Sequence, residues 1–294
     1  MRLYNILLVN YLITFALLFF MVVSNPLMGY AGEPAFIRTS GLLFVNSPGW
    51  SSKTPQCIAP QSGAYISSYD WCLTPSSNLV VVWGETRREP VDSDIHAQMF
   101  SPDGLPLWRI AVNRFRGCQQ HPGVVALPDN SIFVVWQSDS AGTDNINIWC
   151  QRIFNNARPA WKTPVPVCTQ AKNQVNPVIG LDPDGSIIIA WEDYRHDSID
   201  IYGQRFEIDG SPVGPEDGVA IESGPGDQKD IQFVFDGRKN VSAISWHDFS
   251  GQQNLPVKVE VDIERVPIPE PCLPFLSVLL ASLLYRRYRG RMQT

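Results

Sequence analysis

Carboxylates, arginines and tryptophans recur in this chain at fixed spacing. Glu85, Asp139, Asp193 and Asp248 stand two or three positions after Trp83, Trp136, Trp191 and Trp246, and Arg87 and Arg195 follow two of them. An acid beside an arginine can grip a polar ligand, or it can tie a loop to backbone and guanidinium groups. Recurrence in successive copies favours the structural use, with a ligand-binding rim as the alternative. Glycosidic cleavage would need two carboxylates held across a sugar cleft, whereas the non-repeated acids Glu89, Asp92 and Asp94 read as solvated loop residues. Calcium would need Asp-x-Asp-x-Asp-Gly with a distal glutamate. Neither Asp182-Pro-Asp184-Gly185 nor the set Asp193, Asp197 and Asp200 has that spacing, and Pro183-Asp184-Gly185 reads as a tight turn. His96, His121, His196 and His247 are scattered through different copies; no Cys-x-x-Cys, Gly-x-Ser-x-Gly or His-Glu-x-x-His is present. No catalytic residue, metal or cofactor is expected from these patterns.

The elements that must position these residues follow from the period. The four tryptophans lie 53, 55 and 55 residues apart, the mark of a repeat architecture. Each copy resolves into apolar, β-branched runs bounded by Gly, Pro, Asp and Asn, with no helical period. Inner strands are predicted over 65–71, 123–127, 177–181 and 231–235, and a second set over 79–83, 132–136, 187–191 and 241–246. A third set is predicted over 94–100, 146–154, 200–208 and 256–263, and a fourth over 105–112, 159–167 and 211–221. Four-stranded antiparallel sheets repeated about a ring make a β-propeller, so the expected fold is all-β with four blades of about 54 residues. The last copy lacks its fourth strand. Gly49-Trp50 through Cys57 reads like Ala160-Trp161 through Cys168, so an N-terminal strand is expected to pair with 256–263 and close the ring.

The repeated Trp-x-Asp-x-Arg, the Asp200-Ile201-Tyr202-Gly203-Gln204-Arg205 run and the following glycine resemble a repeat of secreted bacterial propellers. The resemblance covers about residues 60–265 and implies the scaffold without any chemistry. Copy two departs at Gln137-Ser138-Asp139 and copy four at His247-Asp248-Phe249. Ser101-Pro102-Asp103-Gly104 approaches the Asp-box of sialidase-like propellers, but its glycine directly follows the aspartate.

Hydrophobic segments flank the repeats at both ends. Residues 1–31 read as a signal peptide, with Arg2 before the apolar run 6–23 and Gly29-Tyr30-Ala31 at the spacing of a cleavage site. Residues 32–265 hold the propeller, and 266–294 hold Pro269-Glu270-Pro271, an apolar stretch and four arginines. That order resembles the PEP-CTERM sorting signal, which implies an exosortase partner, transient or permanent membrane anchoring and a cell-surface destination. The arginines would stay cytoplasmic. Residues 1–31 and 272–294 contain five arginines and no acids, so removing both lowers the net charge from −6 to −11. Such an acidic part disfavours nucleic acid as a partner. Together these features predict an exported, envelope-associated, non-catalytic module binding an extracellular glycan or protein; a sialidase-like, glycan-active hydrolase is the competing expectation.

Overall fold

The tryptophans end runs of β-branched residues that are buried on both faces, and those runs set the architecture. The computed structural model describes residues 33–39, 41–48, 50, 55–61, 63–88, 91–113, 117–139, 145–236, 240–250 and 255–259. The signal-peptide and sorting-signal expectations, including Pro269, Glu270 and Pro271, fall outside the described residues. Among the described residues there is no helix, and therefore none long and apolar enough to cross a membrane.

Among the described residues, five antiparallel sheets follow one another in chain order. The first contains β1 (Ala35–Thr39), β2 (Leu42–Asn46) and β3 (Gln56–Ile58). The second contains β4 (Ala64–Leu73), β5 (Leu79–Arg88), β6 (Val91–Phe100) and β7 (Pro106–Asn113). The third contains β8 (Gln119–Ala126), β9 (Ile132–Ser138), β10 (Asn147–Ile153) and β11 (Val165–Cys168). The fourth contains β12 (Gln174–Leu181), β13 (Ile187–Asp193) and β14 (Asp200–Phe206), with β15 (Pro212–Val213) and β16 (Val219–Glu222) both paired to β14. The fifth contains β17 (Gln228–Phe235), β18 (Val241–Asp248) and β19 (Leu255–Val259). This is an all-β, β-propeller-like arrangement.

Each sheet packs face to face on the next, as stacked sheets must to bury their apolar faces. Leu43, Val45 and Ile58 of the first meet Ile66, Val81 and Trp83 of the second. Val80, Val82 and Met99 meet Val124, Ile132 and Trp136; Val135, Ile148 and Cys168 meet Ile179, Ile189 and Trp191. Ala190 and Ile201 meet Ile231, Ile244 and Trp246. Every repeated tryptophan thus wedges against the preceding sheet.

The expected closure is corrected here. β3 pairs with β2, and β18 is the partner of β19, so the N-terminal segment builds a sheet of its own beside the second one instead of completing the fifth. The likeness of Trp50 to Trp161 reflects a shared job at a neighbouring turn. Trp50 packs over Gly104, and Trp161 packs over Gly210 while its Nε1 donates to the Asp209 carbonyl at 3.1 Å. Both glycines have positive φ, and a Cβ at either would lie within 2.6 Å of the indole, so the close approach requires glycine.

Candidate functional site

The recurring acids and arginines sit where loops leave the second strand of each sheet. Asp193, fully buried at the end of β13, accepts Trp191 Nε1 at 2.8 Å and Arg195 Nη2 at 2.7 Å, while Arg195 also donates to the Asp217 carbonyl at 2.9 Å and lies over the Tyr202 ring. Glu85 accepts Trp83 Nε1 at 3.3 Å, the Gln61 amide at 2.8 Å and Arg109 Nη2 at 3.2 Å. Arg87 instead donates to Gln61 Oε1 at 3.3 Å. Asp139 accepts the Cys118 amide, and Asp248 accepts the Ser250 amide at 2.8 Å. The structure does not bring these residues together: each serves its own sheet and adjoining loop.

A second set of polar groups lies along the free edges of the innermost strands β4, β8, β12 and β17. In all four a bulge interrupts the pairing with the second strand, and in the last three the extra residues include one with positive φ: His121 (48°), Asn176 (53°) or Asp230 (57°). The amide of each such residue donates to a side chain of the preceding sheet. His121 N reaches Ser68 Oγ at 3.2 Å, Asn176 N reaches Gln137 Oε1 at 2.8 Å, and Asp230 N reaches Glu192 Oε1 at 2.9 Å. Backbone therefore clasps sheet to sheet, and the imidazole, amide and carboxyl side chains of the three residues are exposed. Positive φ in non-glycine residues stores strain of the kind that clusters at functional sites.

Two acids complete this edge. Glu192 is buried and also accepts Asn176 Nδ2 at 3.1 Å; burial raises its carboxyl above the usual range, an effect that the Asn176 and Asp230 hydrogen bonds oppose and the Asp230 charge adds to. Asp70, on β4, is half-buried beside β8, where its Oδ2 accepts the Val124 amide at 2.9 Å. Desolvation lifts its carboxyl to about 6 against the pull of the Val124 and Trp71 amides. Gly123 is adjacent, where a Cβ would crowd Ile179 at 3.0 Å and Val135 at 3.2 Å but meet Asp70 Oδ2 only at 3.9 Å, an ordinary contact. Beyond Asp230, His247 Nδ1 lies 2.9 Å from Asp230 Oδ2.

The register shows how far symmetry is broken. Opposite the residue preceding each repeated tryptophan, the innermost strands carry Asp70 (paired with Val82), Gly123 (with Val135), Val178 (with Ala190) and Gln232 (with Ser245). One acid stands at four equivalent positions. Sequence reasoning set His121 aside as a scattered histidine and passed over Asp70, Asn176, Glu192 and Asp230 because it weighed what recurs. Alignment of the innermost strands on the tryptophans is the signal that finds them.

No family model matches the chain, and no curated protein does. Among solved structures, it is similar to the endo-arabinase from Bacteroides thetaiotaomicron at 14% identity, over 78% of this chain and 93% of that one, with a TM-score of 0.48. It is also similar to a protein of unknown function from Dyadobacter fermentans at 11% identity, over 70% and 68% of the two chains, with a TM-score of 0.49. The α-L-arabinanase from Penicillium chrysogenum aligns at 13% identity over 78% of each chain, with a TM-score of 0.45. Likeness at this level does not transfer chemistry from one chain to another. The expectation of a non-catalytic module is nevertheless corrected. It rested on a symmetric polar set, whereas the edges of β4, β8, β12 and β17 carry different groups from sheet to sheet, acids among them.

Proposed function

We propose that this chain is a glycan-active hydrolase whose reacting groups line the free edges of the innermost strands. The observation that carries the reading is Asp70: the one acid at its register position, half-buried, with a carboxyl lifted to about 6. Such a group keeps its proton into the weakly acidic range and can hand it to a departing glycosidic oxygen, the task of a general acid. The second carboxylate that glycoside cleavage requires is Asp230, exposed on β17 and oriented by His247. It would act as base or nucleophile. His121 and Asn176, on the strands between, supply hydrogen-bonding groups for sugar hydroxyls. In this reading the five sheets are the blades of one propeller and the innermost edges face its axis, a ring that the successive core clusters favour.

The test is hydrolysis of a panel of neutral and acidic oligosaccharides by the purified protein, arabino-oligosaccharides first, with products resolved by chromatography. Asp70→Asn and Asp230→Asn should each lower the rate by about 100-fold or more while melting as the parent does. The parent rate should fall as pH rises through about 6. Release from no member of the panel, or an Asp70→Asn variant that cleaves at the parent rate, would reject the proposal. Export and sorting through residues 1–31 and 266–294 form a separate proposal. Mass spectrometry of the mature protein from its host tests it, and an intact end at Thr294 would reject C-terminal processing.

A further inference from the structure

A shallow recess of about 450 Å³, largely open to solvent, lies between the third and fourth sheets, lined by Asn145, Lys172, Asn173, Tyr194, His196 and Asp197. Its size falls within the range of small-ligand sites, roughly 300–1,000 Å³. Lys172 and Asn173 directly precede β12, the strand that presents Asn176, and Tyr194 directly follows β13, which carries Glu192. The recess therefore lies at the same end of the sheets as the bulged inner edges. Electrostatics agrees: burial first, and then the Glu192 charge, raises the Tyr194 hydroxyl above its usual acidity range.

The walls are held before any ligand arrives. Asn173 Oδ1 accepts the Ile146 amide at 2.9 Å, and the Tyr194 amide donates to the Asn173 carbonyl at 2.9 Å. Lys172 Nζ donates to the His196 carbonyl at 2.9 Å, and His196 Nε2 lies 3.2 Å from the Tyr202 hydroxyl. Lys172 and Asp197 bring opposite charges into one recess, which makes it a poor host for a strongly anionic or cationic ligand. What remains is an aromatic ring for an apolar sugar face and amides for hydroxyls.

We infer that this recess is a subsite for a neutral sugar unit of the glycan whose linkage is cut at the inner strand edges, so that the substrate is an extended neutral oligosaccharide. The inference rests on the hydrolase reading for its partner site, but it can be tested by binding alone. Affinity is measured calorimetrically for the full chain with arabino-oligosaccharides of increasing length from the disaccharide upward, and with uronic acid oligosaccharides as the charged control. The parent should bind longer neutral chains more tightly. Tyr194→Ala should lose about tenfold in affinity for the long chains, the scale of one aromatic contact, with little change for the disaccharide. His196→Ala, at an exposed position, should lose affinity in the same length-dependent way and serves if Tyr194→Ala folds poorly. Parent-like binding of long chains by both variants, stronger binding of the charged control, or no binding by the parent would overturn the inference. A protein that binds through the recess but never cleaves defeats the hydrolase reading alone. One that cleaves through Asp70 yet shows no length effect defeats the subsite alone.

Discussion

Asp70 carries a pH signature that follows from its surroundings. Burial raises its carboxyl from the ordinary 3.8 to about 6, so the folded protein holds this proton more tightly than the unfolded chain does. The stability that this preference contributes is complete below about pH 4 and is lost as pH rises through about 6. A shift of this size corresponds to at most about 3 kcal/mol, and water reaching the half-buried site reduces it. Urea unfolding between pH 4 and 8 should therefore show the parent losing stability more steeply with pH than Asp70→Asn. Parallel curves would place the carboxyl in ordinary solvent. Nothing in the local sequence marks this residue: Tyr69-Asp70-Trp71 is an unremarked part of an alternating run, and only pairing with Val82 reveals that its counterparts are Gly123, Val178 and Gln232. Asp193 and Glu85 were legible because they repeat.

At the scale of elements, the bulges separate what backbone does from what side chains do. Asp230 has a φ of 57° and its amide, not its carboxyl, makes the bond to Glu192. Asp230→Gly should therefore melt at or above the parent temperature while losing hydrolysis, because glycine adopts this conformation without strain. Asp230→Val should lose about 1–2 kcal/mol, since a left-handed conformation penalises a β-branched residue. Equal melting of the two variants would show that the bulge is not held as described. Strand existence was legible because β-branched runs end at the tryptophans and at aspartate-glycine turns. Inner strand beginnings were not: the predicted strands start just after Pro122 and at Pro177, because proline has no amide to donate, yet β8 and β12 begin at Gln119 and Gln174 and pass the proline inside a bulge. The first sheet was missed for a similar reason. Leu42–Asn46 carries no tryptophan-acid signature, so only its outer segment around Trp50 resembled a repeat.

For the whole molecule, stability is distributed over the faces between successive sheets. Trp191 is fully buried between the third and fourth sheets, so Trp191→Ala should cost about 3–5 kcal/mol, read by thermal or urea unfolding. Deleting residues 33–58 removes one whole side of the cluster around Trp83 and Phe100. The remaining sheet would expose Ile66 and Val81 as a contiguous apolar face, and the truncated protein should aggregate or lose cooperative unfolding. A monomer that melts like the parent would show that the first sheet is an accessory.

The outer indoles give the molecule a direction. Trp50 sits on the Gly104 turn, Trp108 Nε1 donates to the Asn155 carbonyl at 2.9 Å, and Trp161 reaches the turn at Asp209 and Gly210. In each case a sheet reaches forward to a hairpin encoded 47 or 48 residues later for the two hydrogen-bonded pairs. A ribosome delivers the chain in the same order, so each of these three nascent sheets waits with an unseated indole until its successor has been synthesised. Until then that sheet is the incomplete one, and shielding its indole is the need a chaperone would meet during synthesis.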